Sequence, residues 1–116
     1  MISKELFKGS LRSLVLKLLS EYSRMYGYEI TRKVEDMSQG RIKLTFGALY
    51  PILHKLETDG VVVTETEIIG GRARIYYKLT TSGKSFAAEK ISEIQEYLEM
   101  MGVIFKPGLN LQICKP

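Results

Sequence analysis

Residues 45–60, Thr45-Phe46-Gly47-Ala48-Leu49-Tyr50-Pro51-Ile52-Leu53-His54-Lys55-Leu56-Glu57-Thr58-Asp59-Gly60, run directly into Val61-Val62-Val63-Thr64-Glu65-Thr66-Glu67-Ile68-Ile69-Gly70-Gly71-Arg72-Ala73-Arg74-Ile75-Tyr76-Tyr77-Lys78-Leu79-Thr80. The hydrophobic period changes at Gly60. Before it, Leu49, Ile52, Leu53 and Leu56 recur at helical spacing, so a helix is expected from Phe46 to about Thr58. Thr45 stands where its hydroxyl can cap the free N–H groups, and Gly60 is the natural left-handed stop. Pro51 lacks an N–H and its ring clashes with the preceding turn, a cost of about 3 kcal/mol in a regular helix. A kink, or tertiary contacts that outweigh the penalty, is expected there. After Gly60, Val61–Glu67 and Arg74–Leu79 are rich in Val, Thr, Ile and Tyr, and Gly70-Gly71 can adopt positive φ between them. This is a β-hairpin, with Ile75, Tyr77 and Leu79 on one face of its second strand and Tyr76 and Lys78 on the other.

Working toward the N-terminus, Arg41-Ile42-Lys43-Leu44 alternates like a short strand. Before it, Tyr26, Ile30, Val34 and Met37 share one face of a helix from about Gly27 to Met37, closed by Ser38-Gln39-Gly40. Phe7, Leu11, Leu14 and Leu18, widened by Val15, Leu19 and Tyr22, predict one long helix from Lys4 to about Tyr22. Toward the C-terminus, Thr80 or Thr81 caps a last helix in which Gly83 is a tolerated weakness of the first turn. Ala87, Ile91, Ile94, Leu98 and Met101 follow at steps of four, three, four and three. Such a heptad seam needs a partner, either the first helix or a second copy of the chain. A three-helix core does not require so long an appendage, which favours a homodimer whose seam adds Phe7 and Leu11 to these five residues.

The fold class is therefore mainly α with a small β-hairpin (α+β). Residues 1–80 form a winged helix-turn-helix, 81–102 a C-terminal dimerisation helix, and 103–116 an irregular tail. Apolar Val103, Ile104, Phe105, Leu109, Leu111 and Ile113 of that tail are available to pack on a dimer. The order helix, helix, short strand, helix, hairpin presents its third helix to the DNA major groove and its hairpin, the wing, to adjacent backbone.

Composition narrows the function classes. With 116 residues, 45% hydrophobic and 26% charged, the chain suits one globular domain rather than a disordered or fibrous one. The excess of 17 Lys and Arg over 13 Asp and Glu gives +4, a bias that suits a polyanionic partner. A lone cysteine, Cys114, has no intramolecular disulfide partner, and no stretch approaches the roughly 20 apolar residues that cross a bilayer. A cytoplasmic protein without membrane contact is expected. One His and one Cys far apart offer no nucleophile or metal constellation, and His54 with Glu57 supplies two ligands where a closed zinc site needs four. Gly70-Gly71 is turn chemistry, not a phosphate loop. Neither an enzyme nor a bound cofactor is expected.

The wording of the central stretch resembles the PadR family of bacterial transcription regulators. The similarity lies in Thr45 to Glu57, in Asp59-Gly60-Val61-Val62, in Gly71-Arg72-Ala73-Arg74-Ile75-Tyr76-Tyr77-Lys78-Leu79-Thr80 with Gly83 three positions on, and in the earlier Tyr26-Gly27-Tyr28-Glu29-Ile30. The resemblance implies a homodimeric repressor on a palindromic operator, its last helices pairing the protomers and its affinity lowered by a small molecule. It also assigns Tyr50 to phosphate contact.

Read as residues, the candidate DNA contacts are Thr45, Phe46 and Gly47 at the end of the third helix that enters the groove, with Tyr50, His54 and Lys55 on its exposed side. Arg72 and Arg74 suit a wing tip, and Arg41, Lys43, Arg32 and Lys33 extend the basic surface. Each has a plainer reading: Thr45 as a cap, Tyr50 as core, His54 as a solvated helix residue, Arg72 and Arg74 as a solvated turn. Glu57, Asp59, Glu65 and Glu67 lie close by in sequence, pointing away or limiting nonspecific affinity. Phe7, Leu11, Ile94, Tyr97, Leu98 and Met101 are candidates for a pocket that admits a small aromatic or apolar effector, or are simply packing. The competing class is a winged-helix protein-interaction module. Phe46 is the residue that suits such a module, its other reading being a staple against the core.

Overall fold

A computed structural model describes residues 3–108. The elements run α1 (Lys4–Lys8), α2 (Leu11–Glu21), β1 (Met25–Tyr26), α3 (Gly27–Met37), α4 (Phe46–Thr58), β2 (Val62–Ile69), β3 (Arg72–Leu79) and α5 (Thr81–Phe105). Helices α2, α3 and α4 enclose the core. Leu16 and Leu18 from α2, Ile30 from α3 and Leu49, Leu53 and Leu56 from α4 are fully buried. Each buries roughly 2 kcal/mol of apolar side chain, and together they fix α4 against the other two helices. Tyr77 and Leu79 of β3 close one side of this core.

The hairpin reaches further than periodicity suggests. The β2–β3 pairing is continuous from Val62↔Leu79 to Ile69↔Arg72, leaving Gly70 and Gly71 as a two-residue turn. Their φ values of 58° and 77° suit glycine and match the right-handed twist of the strands. Helix α4 passes through Pro51 unbroken. Leu49 and Leu53, both fully buried on either side of the proline, hold it there.

Four expectations are corrected. The first helix is two: Ser10 donates through both its backbone N–H and its hydroxyl to the Phe7 carbonyl, each at 3.0 Å, and closes α1. Gly9, a poor helix former, lies at that break. Arg41–Leu44 is not a strand; the edge of β3 that β2 leaves is taken by β1 through Met25↔Tyr77 and Tyr26↔Tyr76. The segment is instead tied back to α3 by the Ile42 N–H, which donates to Ser38 Oγ at 3.0 Å. Met37, expected on the buried face of α3, is 57% exposed at its end. Gly83 is no weakness. A Cβ there would lie 1.9 Å from the Val61 carbonyl oxygen, so this glycine lets the start of α5 lie against the start of the wing. Thr80 is the cap, accepting from the Gly83 N–H at 2.9 Å.

Helix α5 extends past residue 102, so Val103, Ile104 and Phe105 are helical rather than irregular. Residues 109–116, with Leu109, Leu111, Ile113 and Cys114, lie outside the described residues. A helix of 25 residues spans about 37 Å, more than half of the 64 Å long dimension of the molecule. Only its first part packs on α2. Leu11 and Ala87, expected on the intermolecular seam, are buried in the core of the single chain.

Candidate nucleic-acid interface

The first turn of α4 is exposed. Thr45 accepts the Ala48 N–H on Oγ1 at 3.2 Å, which orients the turn, and Phe46, Gly47 and Ala48 follow in solvent. The Phe46 ring rests 5.6 Å from that of Tyr50, which in turn lies 6.3 Å from His54. Phe46 is 47% exposed and therefore does not staple α4 to the core. The Tyr50 hydroxyl lies over Gly27, where a Cβ would come within 2.6 Å of it. Lys55 is exposed but pairs with Asp59 at 3.2 Å, and nine residues along the helix it stands about 13 Å from Phe46.

A groove of about 310 Å³ separates this turn from the wing, with Phe46, Tyr50 and Tyr28 on one wall and Ile69, Arg72 and Ile75 on the other. Arg72 is exposed at the wing tip. Arg74 is half-buried, its guanidinium 4.2 Å from the Tyr26 ring centroid and donating to the Tyr76 hydroxyl at 3.5 Å. That hydrogen bond is the main cause holding its pKa above the ordinary arginine value. Arg41 and Lys43 are exposed immediately before α4. Among the described residues Arg41, Lys43 and Arg72 form no ion pair. Arg32 faces the Tyr28 ring at 6.0 Å and Lys33 the Tyr22 ring at 5.0 Å.

The acids close in sequence are largely engaged. Arg24 donates to Glu67 at 2.6 Å and to Glu65 at 3.1 Å, and Lys78 adds a contact to Glu65 at 2.9 Å. Glu57 accepts from the Thr64 hydroxyl at 3.5 Å. Four carboxylates that would repel a polyanion thus have partners on the protein itself.

Arg24 was not among the sequence candidates, yet it organises the back of the wing: its guanidinium stacks 3.9 Å from the Tyr76 ring, and Tyr76 meets Tyr26 edge-on at 5.4 Å. Tyr26 and Tyr76 are register partners across β1 and β3. Alternation along β3 makes the shared face of Tyr76 and Lys78 legible, and Arg74 joins them there; the two-residue strand opposite them carries no periodic signal.

The hydrogen bond from Lys78, then that from Arg24, holds the Glu65 carboxyl below its ordinary pKa. A carboxylate with a depressed folded pKa contributes stability above its unfolded value and loses it as pH falls through the folded one. Acidification below the usual carboxylate range is therefore expected to loosen the wing, read as a loss of amide protection in β2 relative to the intrinsic exchange rate at each pH. Glu65→Gln should abolish that acid-dependent loss while leaving the α4 amides unchanged.

At the far end of the molecule, Phe7, Ile94 and Leu98 of the expected effector set line an apolar groove of about 400 Å³ with Leu6, Leu14 and Ile91. Leu11 is in the core instead, Tyr97 faces a neighbouring depression beside Arg12, and Met101 lies beyond the groove. Among the described residues no three His, Cys, Asp or Glu side chains converge as metal ligands. No helix among them is long and apolar enough to cross a membrane.

Comparison with known proteins follows the same lines. A transcriptional regulator of Clostridium thermocellum shares the fold at a TM-score of 0.78, covering 91% of this chain and all of its own, at 24% identity. A PadR-like transcription factor of Bacteroides fragilis is 31% identical over 86% of this chain and 94% of its own, with a TM-score of 0.69. PadR of Bacillus subtilis, solved with operator DNA, is 29% identical over 68% of this chain and 45% of its own, with a TM-score of 0.61. Residues 15–89, from α2 into α5, match the PadR-like family of transcriptional regulators, and the chain belongs to that family.

Proposed function

We propose that this DNA-binding regulator acts as a homodimeric repressor on a palindromic operator, with α4 of each protomer in the major groove and each wing along the flanking backbone. The observation that carries this reading is that Arg41 and Lys43 just before α4, and Arg72 across the groove from its first turn, are exposed, while Glu65 and Glu67 are held by Arg24 and Lys78. Exposed cations at these positions suit phosphate binding by counterion release. The relative from Bacillus subtilis, bound to operator DNA, carries the same fold.

Dimerisation is supported by α5. Leu98, Met100, Val103, Ile104 and Phe105 are 46–76% exposed along its second half, more apolar surface than a lone helix leaves in water. The corresponding surface of a second copy covers it in a two-fold arrangement, which sets the spacing of the two α4 helices. A small apolar effector entering the groove of Phe7, Ile94 and Leu98 would compete for that seam and alter the spacing.

Sedimentation velocity of the protein with a labelled duplex from upstream of its own gene tests this reading. Two protomers per duplex are expected. One protomer per duplex at saturation contradicts the dimer, and free DNA at every protein concentration favours a protein-interaction module at this promoter.

A further inference from the structure

The end of α4 that faces the groove has almost nothing with which to hydrogen-bond a base. Its first eight residues, Phe46 to Leu53, include a single polar side chain, Tyr50. The Tyr50 hydroxyl lies over Gly27, and Thr45 before it accepts the Ala48 N–H on Oγ1, so each offers at most a lone hydroxyl and not a paired set. Reading a purine through its major-groove edge takes a paired donor or acceptor such as Arg, Asn or Gln, and this turn supplies none. What it presents is a ring. Phe46 stands 47% exposed, braced from behind by Tyr50 at 5.6 Å, with the small Gly47 and Ala48 beside it so that nothing shields it from an approaching surface.

The surroundings say what that surface is. Arg41 and Lys43 are exposed a few residues before the ring in the chain, and Arg72 stands across the groove from it. An apolar tip inside a cationic rim fits a polyanion that carries an apolar group in its groove, and does not fit an apolar protein helix, which would leave the cations unpaired. In the DNA major groove the apolar group is the 5-methyl of thymine.

We infer that Phe46 is a specificity-determining residue, and that it selects thymine in each half-site by packing its ring on the 5-methyl group. The inference rests on the DNA-binding reading above. Sequence preference at this position then comes from a methyl contact rather than from hydrogen bonds.

The test uses the full chain and a duplex enriched from a random pool by binding to it. Thymines of the enriched site are replaced one at a time by deoxyuridine, which keeps every hydrogen bond and removes only the methyl. Burial of one methyl corresponds to about fourfold in affinity. One thymine per half-site is expected to show that loss with the wild-type protein, and the loss should vanish with Phe46→Ala, which is exposed and leaves the core intact. A uracil penalty that persists in Phe46→Ala, or no penalty at any thymine, overturns the inference while the DNA-binding reading stands. Failure to enrich any sequence overturns the sequence-specific reading itself.

Discussion

Gly83→Ala is expected to destabilise the protein by about 3 kcal/mol or more, the upper range for forcing atoms into a packed site. The added methyl would lie 1.9 Å from the Val61 carbonyl oxygen and 2.9 Å from Thr80 Oγ1. Neither neighbour can yield cheaply. The Val61 carbonyl accepts the Thr80 N–H at 3.0 Å, and Thr80 Oγ1 both caps α5 and donates to the Gly60 carbonyl at 2.8 Å. Moving either one separates α5 from the wing and uncaps the helix. At about 4 °C per kcal/mol for a chain of this size, the midpoint of thermal unfolding should fall by about 12 °C. Gly102→Ala in the same helix is the contrast. Within the single chain a Cβ there meets nothing within 4 Å, so the substitution should raise the stability of the protomer by about 1 kcal/mol through helix propensity. Equal effects at the two glycines would show that propensity, not the contact with Val61, governs position 83.

Lys43→Ala combined with Arg72→Ala is expected to weaken operator binding by about a hundredfold, taking roughly 1.5 kcal/mol for each charged hydrogen bond to phosphate. The slope of log affinity against log salt should become shallower by about two. Both side chains are exposed, so thermal stability should not move. Arg74 is left in place because it stacks on Tyr26 and its removal would disturb the wing as well as the charge. Unchanged affinity and slope in the double variant would remove these two residues from the interface.

The parts of this fold that were legible in the sequence are those where one period runs long enough to be counted. Leu49, Leu53 and Leu56 announced α4, and the glycine pair at 70 and 71 announced the turn of the wing. Strand β1 was not legible, since two residues cannot display alternation and its existence depends on Tyr76 and Tyr77, some fifty positions away. Sequence separation also hid Arg24, whose role is set by Glu65 and Glu67, 41 and 43 positions on. Gly83 shows a different limit: propensity counts the cost of glycine within its own helix and is blind to the carbonyl that passes beside it. Helical spacing likewise put Ala87 and Leu98 on one seam, but the seam divides in space. Its first part is covered by α2, and Leu98 remains 58% exposed. In the candidate site, sequence named the cations but could not say which were free. The structure separates Arg72, Lys43 and Arg41 from Lys55, paired with Asp59, and from Arg74, stacked on Tyr26.

The central claim is that α4 and the wing hold a specific DNA duplex through phosphate contacts as well as base contacts. Fluorescence anisotropy with the DNA upstream of the protein's own gene and with a scrambled duplex, each across a range of salt concentrations, tests it most directly. The account predicts binding to the first at least about a thousandfold tighter than to the second, with log affinity falling steeply and linearly with log salt on both. Absence of binding to either duplex at the lowest salt, or binding that does not respond to salt, would contradict it.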